Sequence, residues 1–163
     1  MAVRSIFHIN INCSDLERSI GFYERLGFHQ SLRMDDYERD ADASYEAIGV
    51  TGFLRHKGPV VMFIGDDLRQ TRLDLMQWEQ PTPPPRVRPV AQQVGVPRIA
   101  IWTKGVNDLY QEMSAEGYEF VSSPRGPFED RAIKSLVCAV DPDGLLVELI
   151  EFLPRGSDLY TKG

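Results

Sequence analysis

The chain has 163 residues, of which 42% are hydrophobic and 26% charged, and a net charge of -6. That length makes one ordinary domain or two small fused modules, and the composition is that of a globular chain, not a disordered one. The acidic balance argues against broad binding to nucleic acid or to an anionic membrane, because both want a basic face.

No apolar run approaches the roughly 18 residues of a membrane span. The N-terminal segment turns directly into strand alternation and lacks a signal-peptide pattern. Cys13 and Cys138 form no CxxC motif. Two free thiols in a reducing cytoplasm are the expectation.

In chain order, the first strand places Phe7, Ile9, Ile11 and Cys13 on one face and Ile6, His8, Asn10 and Asn12 on the other. Ser14 and Glu17 read as a capping box. Leu16, Ile20, Tyr23 and Leu26 then recur at helical spacing, and Gly27 is a stop. Strands are expected over Phe28 to Met34, Phe53 to Asp66 and Arg72 to Trp78. Between them, Asp35 to Ala43 is too charged for core and reads as a mobile loop, with a short helical turn over Ser44 to Val50.

Pro81 to Gly95 holds five of the eleven prolines, which excludes a helix interior and favours an extended linker. Beyond it, Val106, Leu109, Tyr110 and Met113 form a helical stripe that stops at Gly117. Strands are expected over Glu119 to Pro124, Ser135 to Val140 and Leu145 to Phe152. Asp141-Pro142-Asp143-Gly144 is a turn signal between the last two, and a loose tail begins at Pro154. The division is therefore 1–80, a linker 81–95, 96–153 and a tail 154–163.

The halves superimpose on each other. Shifted by 90 positions, FHININCSDLERSIGFYERLGF (Phe7 to Phe28) falls without a gap on PRIAIWTKGVNDLYQEMSAEGY (Pro97 to Tyr118). Shifted by 74, LDLMQW (Leu73 to Trp78) falls on VELIEF (Val147 to Phe152). Each half opens with a strand and a helix and closes with a strand that carries an acidic residue.

FHININCSDLERSIGFYERLGF near the start and VDPDGLLVELIEF near the end resemble the vicinal oxygen chelate superfamily, which includes glyoxalase I, extradiol dioxygenases and bleomycin resistance proteins. The resemblance spans both halves. It implies an α+β fold of two βαβββ modules whose mixed sheets curl around a cavity, with metal ligands on the first and last strand of each module. Carried over, those positions are His8, Asp74, Arg98 and Glu148. His8 and Glu148 match the usual types and Asp74 is a shortened acid. Arg98 departs from the usual His, because a guanidinium cannot give a metal a lone pair.

Two functional readings follow. In one, His8, Asp74 and Glu148 hold a divalent Fe, Mn, Zn or Ni ion, and Arg98 grips a substrate carboxylate or phosphate. In the other, Arg98 supplies the positive charge itself and the site is metal-free. Glu148, set in an apolar strand, needs a metal, a cation or a proton. Met62, Met76, Trp78 and Trp102 are placed by strand parity on the same faces as walls for an organic ligand, with Asn10 and Asn12 as hydrogen-bonding groups. His29 and His56 match no ligand position, and His56, beside charges, reads as solvated. Asp130 and Arg131 read as a solvated turn.

No GxGxxG, Walker or GxSxG motif occurs. The expected function is that of a glyoxalase-like enzyme of isomerase, lyase or dioxygenase type. Arg98 or a metal would stabilise an oxyanion or enolate, Glu148 would act as base or ligand, and His8 as ligand or proton carrier. The alternative is a metal-free protein that sequesters an antibiotic or metabolite. The expected partner is a small organic molecule, and the expected assembly is a homodimer.

Overall fold

The computed structural model describes residues 5–34, 36–65, 70–84, 87, 90–92 and 94–154, and the side chains of all of these but Glu129. The chain divides into two compact units, Met1–Pro85 and Arg86–Gly163. The break falls inside the proline-rich stretch. The expected tail lies outside the described residues from Arg155 onward, as do Asp35 and part of the linker.

The described residues of the first unit run β1 (His8–Asn12), α1 (Leu16–Arg25), β2 (His29–Arg33), β3 (Tyr37–Asp40), α2 (Ala43–Glu46), β4 (Phe53–Phe63) and β5 (Arg72–Gln80). They form a mixed sheet in the order β1-β5-β4-β2, with β3 also pairing β4. β1 and β5 are parallel, with Asn10 opposite Asp74 and Asn12 opposite Met76. Alternation then gives the sheet two unlike faces. Ile11, Leu73 and Leu75 are buried on the face that α1 covers with Leu16, Ile20, Phe22 and Tyr23. His8, Asn10 and Asn12 are exposed on the other.

The second unit runs β6 (Arg98–Trp102), α3 (Val106–Ala115), β7 (Ile133–Val140) and β8 (Leu146–Phe152), with the sheet order β6-β8-β7. β6 and β8 are parallel, with Ala100 opposite Glu148. Val137, Ala139, Val147 and Leu149 are buried, and α3 packs on β7 and β8 with Val106 and Met113. The Asp141 turn closes as expected, its carboxylate accepting from the amides of Asp143 and Leu145 at 3.0 and 2.6 Å.

The duplication extends to individual hydrogen bonds. Gln77 Oε1 accepts from the Leu16 amide at 2.9 Å, and Glu151 Oε2 accepts from the Val106 amide at 3.2 Å. In each unit, then, the last strand satisfies an orphan donor at the start of the helix. Equivalent too are Cys13 N–H to the Met76 carbonyl and Thr103 N–H to the Ile150 carbonyl, both 2.8 Å. Tyr23 to Phe28 and Met113 to Tyr118 close both helices in the same way, and Gly27 and Gly117 both have φ of 91°.

Four sequence expectations are corrected. Asp15, not Ser14, caps α1 by accepting from the Arg18 amide at 3.0 Å. Tyr37 to Asp40 is a strand, not a loop, because Tyr37 finds a buried ring stack while its three charged neighbours face outward. Glu119 to Pro124 makes no strand. It contributes only one isolated bridge to β7, Phe120 opposite Ala139. Met62 pairs with Leu73 and so sits on the face opposite Asp74, in the core. A β-bulge near Gly58 shifts the register of β4 and defeats parity counting there.

Candidate functional site

The positions singled out in the sequence form two acid–base pairs, one in each unit, both on the face away from the helix. In the first, His8 Nδ1 lies 3.2 Å from Asp74 Oδ2. The Asp74 side chain is only 15% exposed, and its Oδ1 is buried without a hydrogen-bond partner among the described residues. Burial pushes the Asp74 carboxyl up from its ordinary range, opposed by the charges of His8 and Arg72. The Arg72 guanidinium is stacked between the rings of Phe7 and Phe63, at 4.2 and 4.8 Å.

In the second unit, Arg98 Nε donates to Glu148 Oε2 at 2.6 Å. The carboxylate is 14% exposed and the guanidinium 45%, so the acid is set into the sheet and the cation reaches outward. The bond to Glu148 and its charge hold the guanidinium protonated. Cys138 lies opposite Glu148 on β7, and its thiol is pushed up by burial and then by the Glu148 charge.

Aromatic residues lie four positions further along the same strands. Trp78 Nε1 donates to Asn12 Oδ1 at 3.0 Å, and Asn10 Nδ2 donates to the Asp74 carbonyl at 3.3 Å. Trp102 is 75% exposed and meets Phe152 edge-on at 6.0 Å. Phe152 is the counterpart of Trp78 under the 74-residue shift, so the alignment of LDLMQW on VELIEF already contained it. Met76 takes the Asp74 side of β5 and is buried.

The sequence reading of His56 is overturned. His56 is 1% exposed. It stacks on Tyr37 at 4.7 Å and 8°, lies 4.8 Å from Trp78, and its Nε2 is 2.6 Å from Tyr45 Oη. The flanking charges of Arg55 and Lys57 point to solvent, as strand alternation requires. Burial pushes the imidazole pKa down. His29 is exposed beside Phe63. Asp130 and Arg131 pair with each other at 3.2 Å in an exposed turn.

Duplicated strand–helix–strand units with an acid–base pair on the open sheet face define a glyoxalase-like fold. The chain belongs to the Glyoxalase/Bleomycin resistance protein/Dioxygenase superfamily, whose family model matches residues 5–149. A glyoxalase family protein from Bacillus cereus is similar in structure, with a TM-score of 0.76 and 18% identity over 94% of this chain and 99% of that one. The trypanothione-dependent glyoxalase I of Leishmania major gives 0.61 and 23% over 91% of this chain and 87% of its own. TnmS3, an antibiotic binding protein from Streptomyces sp. CB03234, gives 0.56 and 18% over 93% and 98%. These likenesses show the fold. Among curated proteins, no sequence matches. No helix among the described residues is long and apolar enough to cross a membrane.

The resemblance implies a divalent metal at His8, Asp74 and Glu148, and Arg98, at the fourth position, is the residue whose chemistry does not fit one. Among the described residues, no group of three His, Cys, Asp or Glu side chains is placed to hold an ion. Glu148 is engaged by a guanidinium at 2.6 Å, and that guanidinium stands where a fourth ligand would be.

Proposed function

We propose that this protein binds a small oxygenated organic anion without a metal, using Arg98 as its fixed cation. The Arg98–Glu148 pair carries this reading. A cation that reaches outward from a carboxylate set into the sheet supports recognition of a ligand carboxylate, phosphate or enolate by the remaining guanidinium N–H groups. Trp102 and Phe152, four positions further along the strands of Arg98 and Glu148, supply flat apolar surface for the rest of the ligand.

Catalysis of isomerase or lyase type is a second reading, favoured by His8 at 3.2 Å from a carboxylate whose other oxygen is buried and unpartnered. Such a pair can take a proton from carbon and return it. A dioxygenase outcome needs the metal that the donor set does not favour.

Benzoate is a suitable probe, since it joins a carboxylate to an aromatic ring. Calorimetry of the wild-type protein should show saturable binding, weakened at least about tenfold in Arg98→Leu, the scale of a charge-assisted hydrogen bond. Unchanged affinity in Arg98→Leu refutes the anion role. Native mass spectrometry of freshly purified protein then identifies the retained ligand.

A further inference from the structure

Of the aromatic cluster around His56, Tyr37, Tyr45 and His56 itself play no part in the anion site, and the cluster's construction is unusual for core. The short helix α2 buries none of its residues. Asp42 caps it from within by accepting from the amides of Ser44 and Tyr45. Beyond the backbone bond from the Ala41 amide to the Gly52 carbonyl, α2 is tied to the sheet by Tyr45, which packs on Tyr37, His56 and Trp78. Tyr45 meets Trp78 edge-on at 6.2 Å and places its hydroxyl 2.6 Å from His56 Nε2.

Two polar atoms in this stack, His56 Nδ1 and Tyr37 Oη, are buried without a well-formed hydrogen bond among the described residues, facing only the Gly58 backbone and the Arg39 guanidinium at poor geometry. Ordinary core satisfies such atoms. A surface built to take hydroxylated ligands needs spare polar groups of this kind. Gly49 and Gly52, with φ of 80° and 83° and no atom within 4 Å of an added Cβ, sit where the segment returns to β4. They can absorb a swing of α2.

We infer that His56, Trp78 and Tyr37 form a binding site for a phenolic ring, and that Tyr45 is its internal occupant. The side chain of Tyr45 is itself a phenol, set against the edge of an indole and hydrogen-bonded to an imidazole. A hydroxyaromatic ligand competes for those same contacts, and the segment carrying α2 moves aside when it binds. Trp78 shares its sheet face with Asp74, four residues or roughly 13 Å along β5, so this site extends the ligand face already described. The inference rests on the reading of that face as a small-molecule surface.

The test uses p-cresol, the tyrosine side chain as a free molecule, titrated calorimetrically into the full-length protein. Amide hydrogen exchange over residues 43–50 is followed in parallel. Wild-type protein should bind p-cresol saturably, with faster exchange over 43–50. Tyr45→Phe keeps the ring but removes the competing hydrogen bond, and should bind about three- to tenfold more tightly. Equal affinity in the two proteins, binding without faster exchange, or no saturable binding to either overturns the inference. p-Cresol carries no charge, so its binding does not depend on Arg98. Failure here alongside Arg98-dependent benzoate binding therefore sinks the phenol site and leaves the anion site standing.

Discussion

Two buried or half-buried groups set how this protein responds to pH and to substitution. His56 is held neutral by burial, so its folded-state pKa lies below the unfolded value. As pH falls past about 6.5, the unfolded chain takes up the proton first, and stability is lost from there down through the folded-state pKa. Melting temperatures measured between about pH 8 and pH 5 should therefore fall more steeply in wild type than in His56→Gln; parallel curves would contradict the assignment. Glu148 gives a test of sign at the anion site. In Glu148→Gln the guanidinium keeps a hydrogen-bond acceptor but loses its neutralising charge, so benzoate should bind more tightly than to wild type. Weaker binding would mean that Glu148 orients Arg98 and the guanidinium cannot act alone. The residues at both pairs were marked by the family resemblance, and the internal duplication sets them at equivalent places. His56 was not legible, since its neighbours Arg55 and Lys57 are charged and nothing local reveals that alternation turns only the imidazole inward.

Element ends and bends decide how well each sheet face is presented. Gly58 lies at the β4 bulge with φ of 92°, and an added Cβ would stand 2.5 Å from the Leu75 carbonyl oxygen and 3.4 Å from Met76 Cα. Both atoms are backbone and neither can swing away, so Gly58→Ala should destabilise the fold by about 2 kcal/mol or more, measured by urea unfolding. At the start of α1, Asp15→Ala should cost about 1 kcal/mol as a lost cap, while Ser14→Ala should stay within about 0.5 kcal/mol; the reverse order would restore Ser14 as the cap. Sequence spacing found the helix itself. It could not separate adjacent Ser14 and Asp15, because both residues are good caps and the choice depends on where the chain leaves β1. The same limit applies to Glu119 to Pro124, whose strand-like composition ends in one bridge only.

At the scale of the whole molecule, the metal question has a direct measurement. Protein purified without chelator should carry transition metal far below one ion per chain, and EDTA should leave benzoate affinity unchanged. Stoichiometric metal, lost together with ligand binding on chelation, would return His8, Asp74 and Glu148 to the role of ligands. We propose a homodimer as the assembly; light scattering at twice the chain mass is the expected result.

Residue order alone carries the duplicated α+β architecture, and the superfamily resemblance written in it marks His8, Asp74, Arg98 and Glu148 on equivalent strands. Strand alternation, helix spacing and internal repetition are local properties, and each is written directly in residue order. That Arg98 grips Glu148, that Met62 turns into the core, and that Tyr37, Tyr45, His56 and Trp78 share one stack emerges only from the folded chain. Those outcomes depend on register, on a bulge and on contacts across up to 50 residues of chain. Such long-range pairings are fixed by packing, and the spacing of neighbouring residues does not encode them.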